Sequence, residues 1–168
     1  LEAYLDGTEP TREKIVETIH HGILDGSIHP VLVSSAERMI GVDFVAEFIV
    51  DYGPHPLERP IPRLSAGDTF APATDGPVLA YVFKTVADPY IGQLSLFKVL
   101  SGVVRTDDRL LNSSHGGEER LHALLMLRGK EQLPVTDATA GDIAAVAKLG
   151  NTHTGDTLAP KGSPVKVV

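Results

Sequence analysis

Histidine is the residue type in this sequence that most directly suggests metal chemistry, since seven histidines are spread along 168 residues. His20 and His21 are neighbours on a predicted helix and point about 100° apart, so they cannot easily share one ion. His115 lies in a glycine-rich turn and His122 in a predicted strand, and no set of three or four zinc ligands is evident. The chain has no cysteine, which excludes thiolate sites and disulfides. We therefore expect no metal site.

Two pairs of acidic residues, Asp107-Asp108 and Glu118-Glu119, could suggest acid–base catalysis. Both pairs flank predicted turns, where carboxylates are usually solvated, and no G-x-S-x-G context supports a Ser-His-Asp arrangement. The sequence also lacks G-x-x-x-x-G-K-[ST], whose backbone amides and lysine hold nucleotide phosphates. We therefore predict no catalytic residues, and we expect this chain alone not to hydrolyse a nucleotide.

The tripeptide Ser34-Ser35-Ala36 follows an apolar run at 28–33 that is typical of a buried parallel strand. By themselves, these residues are most simply interpreted as the cap of the next predicted helix, at 41–51.

The first part of the chain has the order helix–strand–helix, which is typical of the end of an incomplete α/β layered domain. Its first helix is predicted at 11–25, with Thr11 as the N-cap and Gly26 as the stop. Residues 1–53 contain ten acidic and three basic side chains, whereas the remaining residues contain twelve of each sign. A nucleic-acid binder usually has a basic excess, so any such contact must come from a local patch.

The chain changes character at 54–76, which is rich in proline and is predicted to be a linker. Residues 77–168 lose the helical period and contain short apolar runs separated by turn signals. Strands are predicted at 79–86, 94–100, 109–112, 120–127, 143–149 and 165–167. This pattern predicts an all-β, closed or nearly closed barrel, so the fold class is α+β.

Several strings together resemble elongation factor G. ADPYIGQL at 87–94 and FKVLSG at 97–102 are similar to the opening hairpin of its second domain, and AGDIAAV at 140–146 and TGDTL at 154–158 are similar to two further turns of that domain. LEAYLDG at 1–7 and VDYGPHP at 50–56 resemble the entry to and the exit from the last helices of its GTPase domain. RGKEQLPV at 128–135 is closer to the paralogous elongation factor G-like subfamily. Since the chain also starts with Leu rather than Met, we expect an internal piece of a longer protein.

The resemblance implies a translational GTPase that drives movement of tRNA and mRNA on the ribosome, with GTP and Mg²⁺ as cofactors of the intact protein and none for this piece. It implies that residues 1–53 end the GTPase domain and that 77–168 form domain II. Ser35 and Ala36 would contact the guanine. Small-subunit ribosomal RNA and the other domains of the parent would be the partners, without DNA or membrane. The basic side chains that would contact RNA phosphates are Lys84, Lys98, Arg105, Arg109, Arg120 and Arg128.

Two alternatives are open at this stage. The parent could be a specialised paralogue that protects or recycles ribosomes, or the chain could be a non-enzymatic β-barrel binding module. No apolar run approaches the ~20 residues that a membrane-spanning helix needs, and together with the resemblance this leads us to expect a cytoplasmic protein.

Overall fold

The computed structural model describes residues 5, 7, 9–58, 63–65, 67, 72–88, 91–162 and 165–168. The chain divides into an N-terminal unit, Leu1–Arg59, and a C-terminal unit, Pro60–Val168. Most of the entry motif at 1–7, part of the proline-rich linker at 54–76, and Pro89 and Tyr90 of the first hairpin turn lie outside the described residues.

The N-terminal unit contains two α-helices. Helix α1 spans Arg12–Asp25, and the Thr11 hydroxyl accepts a hydrogen bond from the Lys14 amide at its start. It ends at Gly26, whose φ of 79° is the left-handed conformation that favours glycine. Helix α2 spans Val42–Tyr52. Both predicted helices are therefore present.

His20 connects α1 to the segment that follows α2. Its Nδ1 lies 3.3 Å from the Tyr52 carbonyl oxygen, and its Nε2 lies 3.1 Å from Glu58 Oε1. Glu58 belongs to a short 3-10 helix, Pro56–Glu58. A hydrogen bond from the His55 amide, and then the contact with His20, lower the pKa of Glu58 below its ordinary value of 4.5. His20 is thus used as a structural connector.

The predicted strand at 28–33 is not formed. This segment has no regular secondary structure and no strand partner among the described residues, and Val31 and Val33 are each 88% exposed. A strand exists only through hydrogen bonds to a neighbour, so an apolar run alone cannot make one. Further apolar side chains of the N-terminal unit are also exposed, among them Met39, Ile40, Phe44, Ile49 and Val50.

The C-terminal unit is all-β in its described part. Its strands are β1 Leu79–Asp88, β2 Gly92–Ser101, β3 Val103–Arg105, β4 Arg109–Asn112, β5 Glu118–Arg120, β6 Leu124–Arg128, β7 Glu131–Val135, β8 Asp137–Thr139, β9 Ile143–Ala147 and β10 Thr157–Ala159. Eight of them form one antiparallel sheet in the order β5-β4-β10-β1-β2-β9-β6-β7, and β3 pairs with β8 in a two-stranded ribbon. The predicted α+β fold class, with an all-β domain after the helices, is confirmed.

The sheet and the ribbon share one apolar core. Phe97 of β2 is its largest fully buried side chain, and the core includes Val104 of β3 and Ala138 of β8 as well as residues of the main sheet. One core enclosed by two sheets makes this unit a half-barrel, with β5 and β7 as the edges of the main sheet.

Two of the predicted strands need correction. The strand predicted at 120–127 is divided into β5 and β6, because the Leu121 amide donates to the Asp108 carbonyl and its carbonyl accepts from the Asp107 amide. These bonds turn the chain at a fully buried leucine. Residues 165–167 form no strand either.

The end of the unit nevertheless pairs with its beginning. Val167 forms an isolated antiparallel bridge with Leu64. The Val168 amide donates to the Arg63 carbonyl at 2.8 Å, and the Ser65 amide donates to the Lys166 carbonyl at 2.9 Å. Leu64 and Val167 are buried in a second, smaller apolar cluster with Leu79 and Ala159.

No helix in the described part of the chain is long and apolar enough to span a membrane.

Candidate nucleic-acid interface

Ser35 and Ala36, which are predicted to contact the nucleotide, lie in a tight turn between residues 28–33 and α2. The Ser35 amide donates to the Ile40 carbonyl at 2.9 Å, and the Ile40 amide donates back to the Ser35 carbonyl at 3.1 Å. The Ala36 carbonyl accepts from the Met39 amide, but the Ala36 amide has no hydrogen-bond partner among the described residues. Because Ala36 is exposed, its N–H can donate to a ligand, whereas the N–H of Ser35 is occupied.

The Ser35 side chain stabilises the same turn. Its hydroxyl accepts from the Arg38 amide at 3.4 Å, as in an N-cap, although α2 begins only at Val42. The capping interpretation of Ser34-Ser35-Ala36 therefore applies to the local turn and not to the helix. Gly41, with φ of 70°, separates the turn from α2.

Two of the predicted RNA-contacting residues, Lys84 and Lys98, share one face of the sheet. In the β1–β2 register Lys84 pairs with Leu96, and Lys98 lies two residues further along β2 on the same side. Phe97 points to the opposite side and is fully buried in the core. A register shift between Val82 and Lys84 brings Lys84 onto this outer face.

Arg105 ends β3, opposite Asp137 of β8. Its backbone amide donates to Asp108 Oδ2 at 2.7 Å, which fixes the turn after the strand. Among the described residues, Lys84, Lys98 and Arg105 have no carboxylate within 4.0 Å. Their charges are available to a polyanion.

The other three predicted residues are in ion pairs with nearby carboxylates: Arg109 with Glu118 at 3.1 Å, Arg120 with Asp107 at 3.0 Å and Arg128 with Glu131 at 2.7 Å. The side chains of these three arginines are about half exposed or more. Such pairs contribute only about 0–1 kcal/mol each, so a phosphate could replace the carboxylate partner at small cost. Within the described part of the chain, three of the six predicted residues therefore have a carboxylate partner and three have none.

The paired acids noted in the sequence have structural partners. Asp107 and Glu118 are in the ion pairs just described, and Asp108 fixes the turn after β3. Glu119 is buried and accepts hydrogen bonds from the Gly150 and Asn151 amides and the Thr152 hydroxyl at 3.0, 2.7 and 2.9 Å. This carboxylate anchors the loop that follows β9.

Asn112, which is fully buried, connects the same loop to the β4–β5 turn. Its Nδ2 donates to the Asn151 carbonyl and to Asp156 Oδ2, both at 3.0 Å. Its Oδ1 accepts from the Ser114 and His115 amides at 2.9 and 3.2 Å. One side chain therefore fixes the backbone of both segments.

This network brings together three side chains that sequence reasoning did not group, His115, His153 and Asp156. Their ligand-type atoms lie within 4.8 Å of one another. His115 Nε2 is 3.1 Å from Asp156 Oδ1, and His153 Nδ1 is 3.9 Å from Asp156 Oδ2. The expectation that the histidines supply no set of three ligands overlooked this group, because His115 is far from His153 and Asp156 in the chain.

The all-β half-barrel that opens with the long β1–β2 hairpin has the architecture of a translation-factor domain. The family described as Elongation factor G domain 2 matches residues 77–161, which is half of the chain, and the chain belongs to that family. The resemblance to elongation factor G read from the sequence is confirmed.

The chain is also similar to a crystal structure of a protein from Thermus thermophilus. The two are 34% identical with a TM-score of 0.75, and the match covers 97% of this chain. The chain spans 22% of the length of that protein.

Proposed function

We propose that this chain is the region of a ribosome-binding translational GTPase that joins the end of the GTPase domain to domain II, and that the intact protein acts in the cytoplasm in tRNA–mRNA translocation. The observation that carries the proposal is the domain 2 match, and it is supported by three cations of the same unit, Lys84, Lys98 and Arg105, that have no carboxylate partner in the described part of the chain. The C-terminal unit would contact small-subunit ribosomal RNA, and the N-terminal unit would belong to the nucleotide-binding domain.

RNA contact would be made by charge and not by base recognition. Lys84 and Lys98 lie on one sheet face and Arg105 at the end of a strand, and none has a carboxylate to displace among the described residues. Each cation that neutralises a phosphate releases condensed counterions, so binding weakens as salt increases. Arg109, Arg120 and Arg128 would contribute less, because each must first exchange a carboxylate for a phosphate.

The Ser35–Ile40 turn would supply one donor to the nucleotide. The Ala36 N–H, which has no partner within the described part of the chain, suits a carbonyl acceptor such as the one on guanine, and the small alanine side chain leaves room for the base. GTP phosphates and Mg²⁺ would be held elsewhere in the intact protein, because this sequence contains no phosphate-binding loop.

The test is ribosome binding by the intact protein with Lys84→Glu and Arg105→Glu combined. We expect binding at near-physiological salt to weaken about tenfold or more, and the slope of log affinity against log salt to become shallower by roughly one to two, because two phosphate contacts are lost. Ribosome pelleting across a salt series measures both quantities.

The matched control is Lys130→Glu with Lys148→Glu, which changes the net charge equally at two exposed residues outside the predicted set. Equal weakening by both double variants would mean that only the overall charge matters and would reject the assignment. Unchanged pelleting of the Lys84/Arg105 variant would reject it as well.

Translocation and the alternative roles, ribosome protection and recycling, differ in what the intact protein does after GTP hydrolysis. The segment at 128–135, which forms the β6–β7 hairpin, favours the elongation factor G-like paralogues. Ribosome-stimulated GTP hydrolysis followed by a translocation assay on defined complexes separates these roles. Stimulated hydrolysis without translocation would assign the intact protein to a specialised paralogue.

A further inference from the structure

We propose that His115, His153 and Asp156 form a binding site for a divalent transition-metal ion of the zinc class. The three residues offer two imidazole nitrogens and one carboxylate oxygen, a donor set that zinc uses in proteins. The site is independent of the proposed ribosome contacts, since none of the six cations belongs to it.

The ligand atoms lie close enough together to bind one ion after small side-chain rotations. Zinc–nitrogen and zinc–oxygen bonds of about 2.0–2.2 Å in a tetrahedron place neighbouring ligand atoms about 3.3 Å apart. His115 Nε2 and Asp156 Oδ1 are already 3.1 Å apart, and the ligand atoms of all three residues lie within 4.8 Å of one another. The side chains of both histidines are more than half exposed, so their rings can adjust by rotation.

Hydrogen bonds to its second oxygen, Oδ2, fix the Asp156 carboxylate in position. Asp156 is 3% exposed, and its Oδ2 accepts hydrogen bonds from Asn112 Nδ2 at 3.0 Å and from the His153 amide at 2.8 Å. Its Oδ1 is contacted by His115 alone among the described residues. Hydrogen bonds to the non-ligating oxygen fix a carboxylate and leave the other oxygen for the metal, as outer-shell partners do in known sites.

The histidines come from segments that the same network fixes. Asn112 accepts from the His115 amide at 3.2 Å and so sets the position of its backbone. Asp156 does the same for His153 through the 2.8 Å bond. A bound ion would therefore join the β4–β5 turn to the segment before β10, with water in the fourth position.

The test is titration of the 168-residue chain with Zn²⁺ by calorimetry, and with Co²⁺ followed by its visible absorption. We expect one ion per chain and Co²⁺ bands typical of four-coordination. Mg²⁺ and Ca²⁺ should not compete, because they prefer sets of oxygen ligands. His115→Ala and His153→Ala should each weaken Zn²⁺ binding at least about tenfold, since removing even an outer-shell partner can cost that much.

The matched control is His122→Ala, an equally exposed histidine in the same unit, which lies 3.9 Å from Asp107. The Zn²⁺ affinity of the His122→Ala chain should equal that of the unsubstituted chain. Histidine NMR resonances of the unsubstituted chain give a second measurement that needs no variant, and Zn²⁺ should shift those of His115 and His153 first. Unchanged binding by the doubly substituted His115/His153 chain, or absence of binding below millimolar Zn²⁺, would overturn the proposal.

Discussion

At the scale of single residues, Asn112 joins two separate segments of the C-terminal unit. Its amide group forms hydrogen bonds to both the β4–β5 turn and the segment at 151–156, through two donated and two accepted bonds of 2.9–3.2 Å. The side chain is completely buried, so any group that loses its partner there also lacks water.

We therefore expect Asn112→Ala to lower the free energy of unfolding by about 2–4 kcal/mol, because several buried polar groups lose their partners. Urea unfolding followed by circular dichroism measures this change. Asn151→Ala is the control, since its exposed side chain lies outside the network while its backbone stays within it. A loss below about 0.5 kcal/mol for Asn112→Ala would show that water replaces the amide.

The sequence was enough to predict which basic residues could form the candidate interface. It was not enough to predict which of them are without a carboxylate partner and so available to RNA. The six cations are visible as basic residues near strands, yet whether each is unpaired depends on the strand register. Arg109 meets Glu118 because β4 and β5 are antiparallel neighbours, and Arg128 meets Glu131 across the β6–β7 turn. The grouping of His115 with His153 depends on the fold in the same way.

At the scale of elements, the glycine that joins β2 to β3 is tightly enclosed by backbone atoms. Gly102 has a φ of 72°, and a Cβ there would lie 2.6 Å from the Gly76 carbonyl oxygen and 2.9 Å from backbone atoms of Val78. Its carbonyl also accepts from the Ala140 amide. Backbone atoms cannot move aside as a flexible side chain could.

Gly102→Ala should therefore destabilise the unit by about 2–4 kcal/mol, through both the left-handed backbone and the steric overlap. Gly129→Ala is the matched control, because Gly129 has a φ of 62° and a Cβ added there would have nothing within 4 Å, so only the cost of about 1–2 kcal/mol for the backbone applies. Thermal unfolding of both variants measures the difference. Equal destabilisation would contradict the steric part of the argument.

Helices and strands could be predicted from the sequence where the hydrophobic pattern covered many residues or where a capping or turn residue marked the end of the element. The ten-residue strands β1 and β2 are long apolar segments with turn residues between them, and α1 has both caps. Strands β3, β8 and β10 have three residues each and show no period, so they were missed. The strand wrongly predicted at 28–33 has another cause. An apolar run has the same sequence pattern whether or not a neighbouring strand is there to pair with it.

At the scale of the whole molecule, the chain combines an N-terminal unit that exposes many apolar side chains with a C-terminal unit that has a buried apolar core. Val31, Val33 and Val50 are more than 80% exposed, which is unusual for so many large apolar residues in one small unit. Such a surface is expected of a part of a domain whose other elements are elsewhere in the intact protein.

It follows that this chain alone should bind GTP no better than non-specifically. The Ala36 N–H is a single donor, phosphate-binding residues are missing from the sequence, and the net charge of −7 repels a polyphosphate. Titration with a fluorescent GTP analogue measures binding, and the intact protein provides the positive control. Saturable binding at micromolar nucleotide would contradict the expectation.

The bridge between Leu64 and Val167 also has a mechanical consequence. The backbone segments 63–65 and 166–168 run side by side and antiparallel. Forces that pull these two segments apart would therefore break their hydrogen bonds one after another before they acted on the sheet. The same adjacency of residues 63–65 and 166–168 makes the half-barrel suitable for insertion into a loop of a host protein.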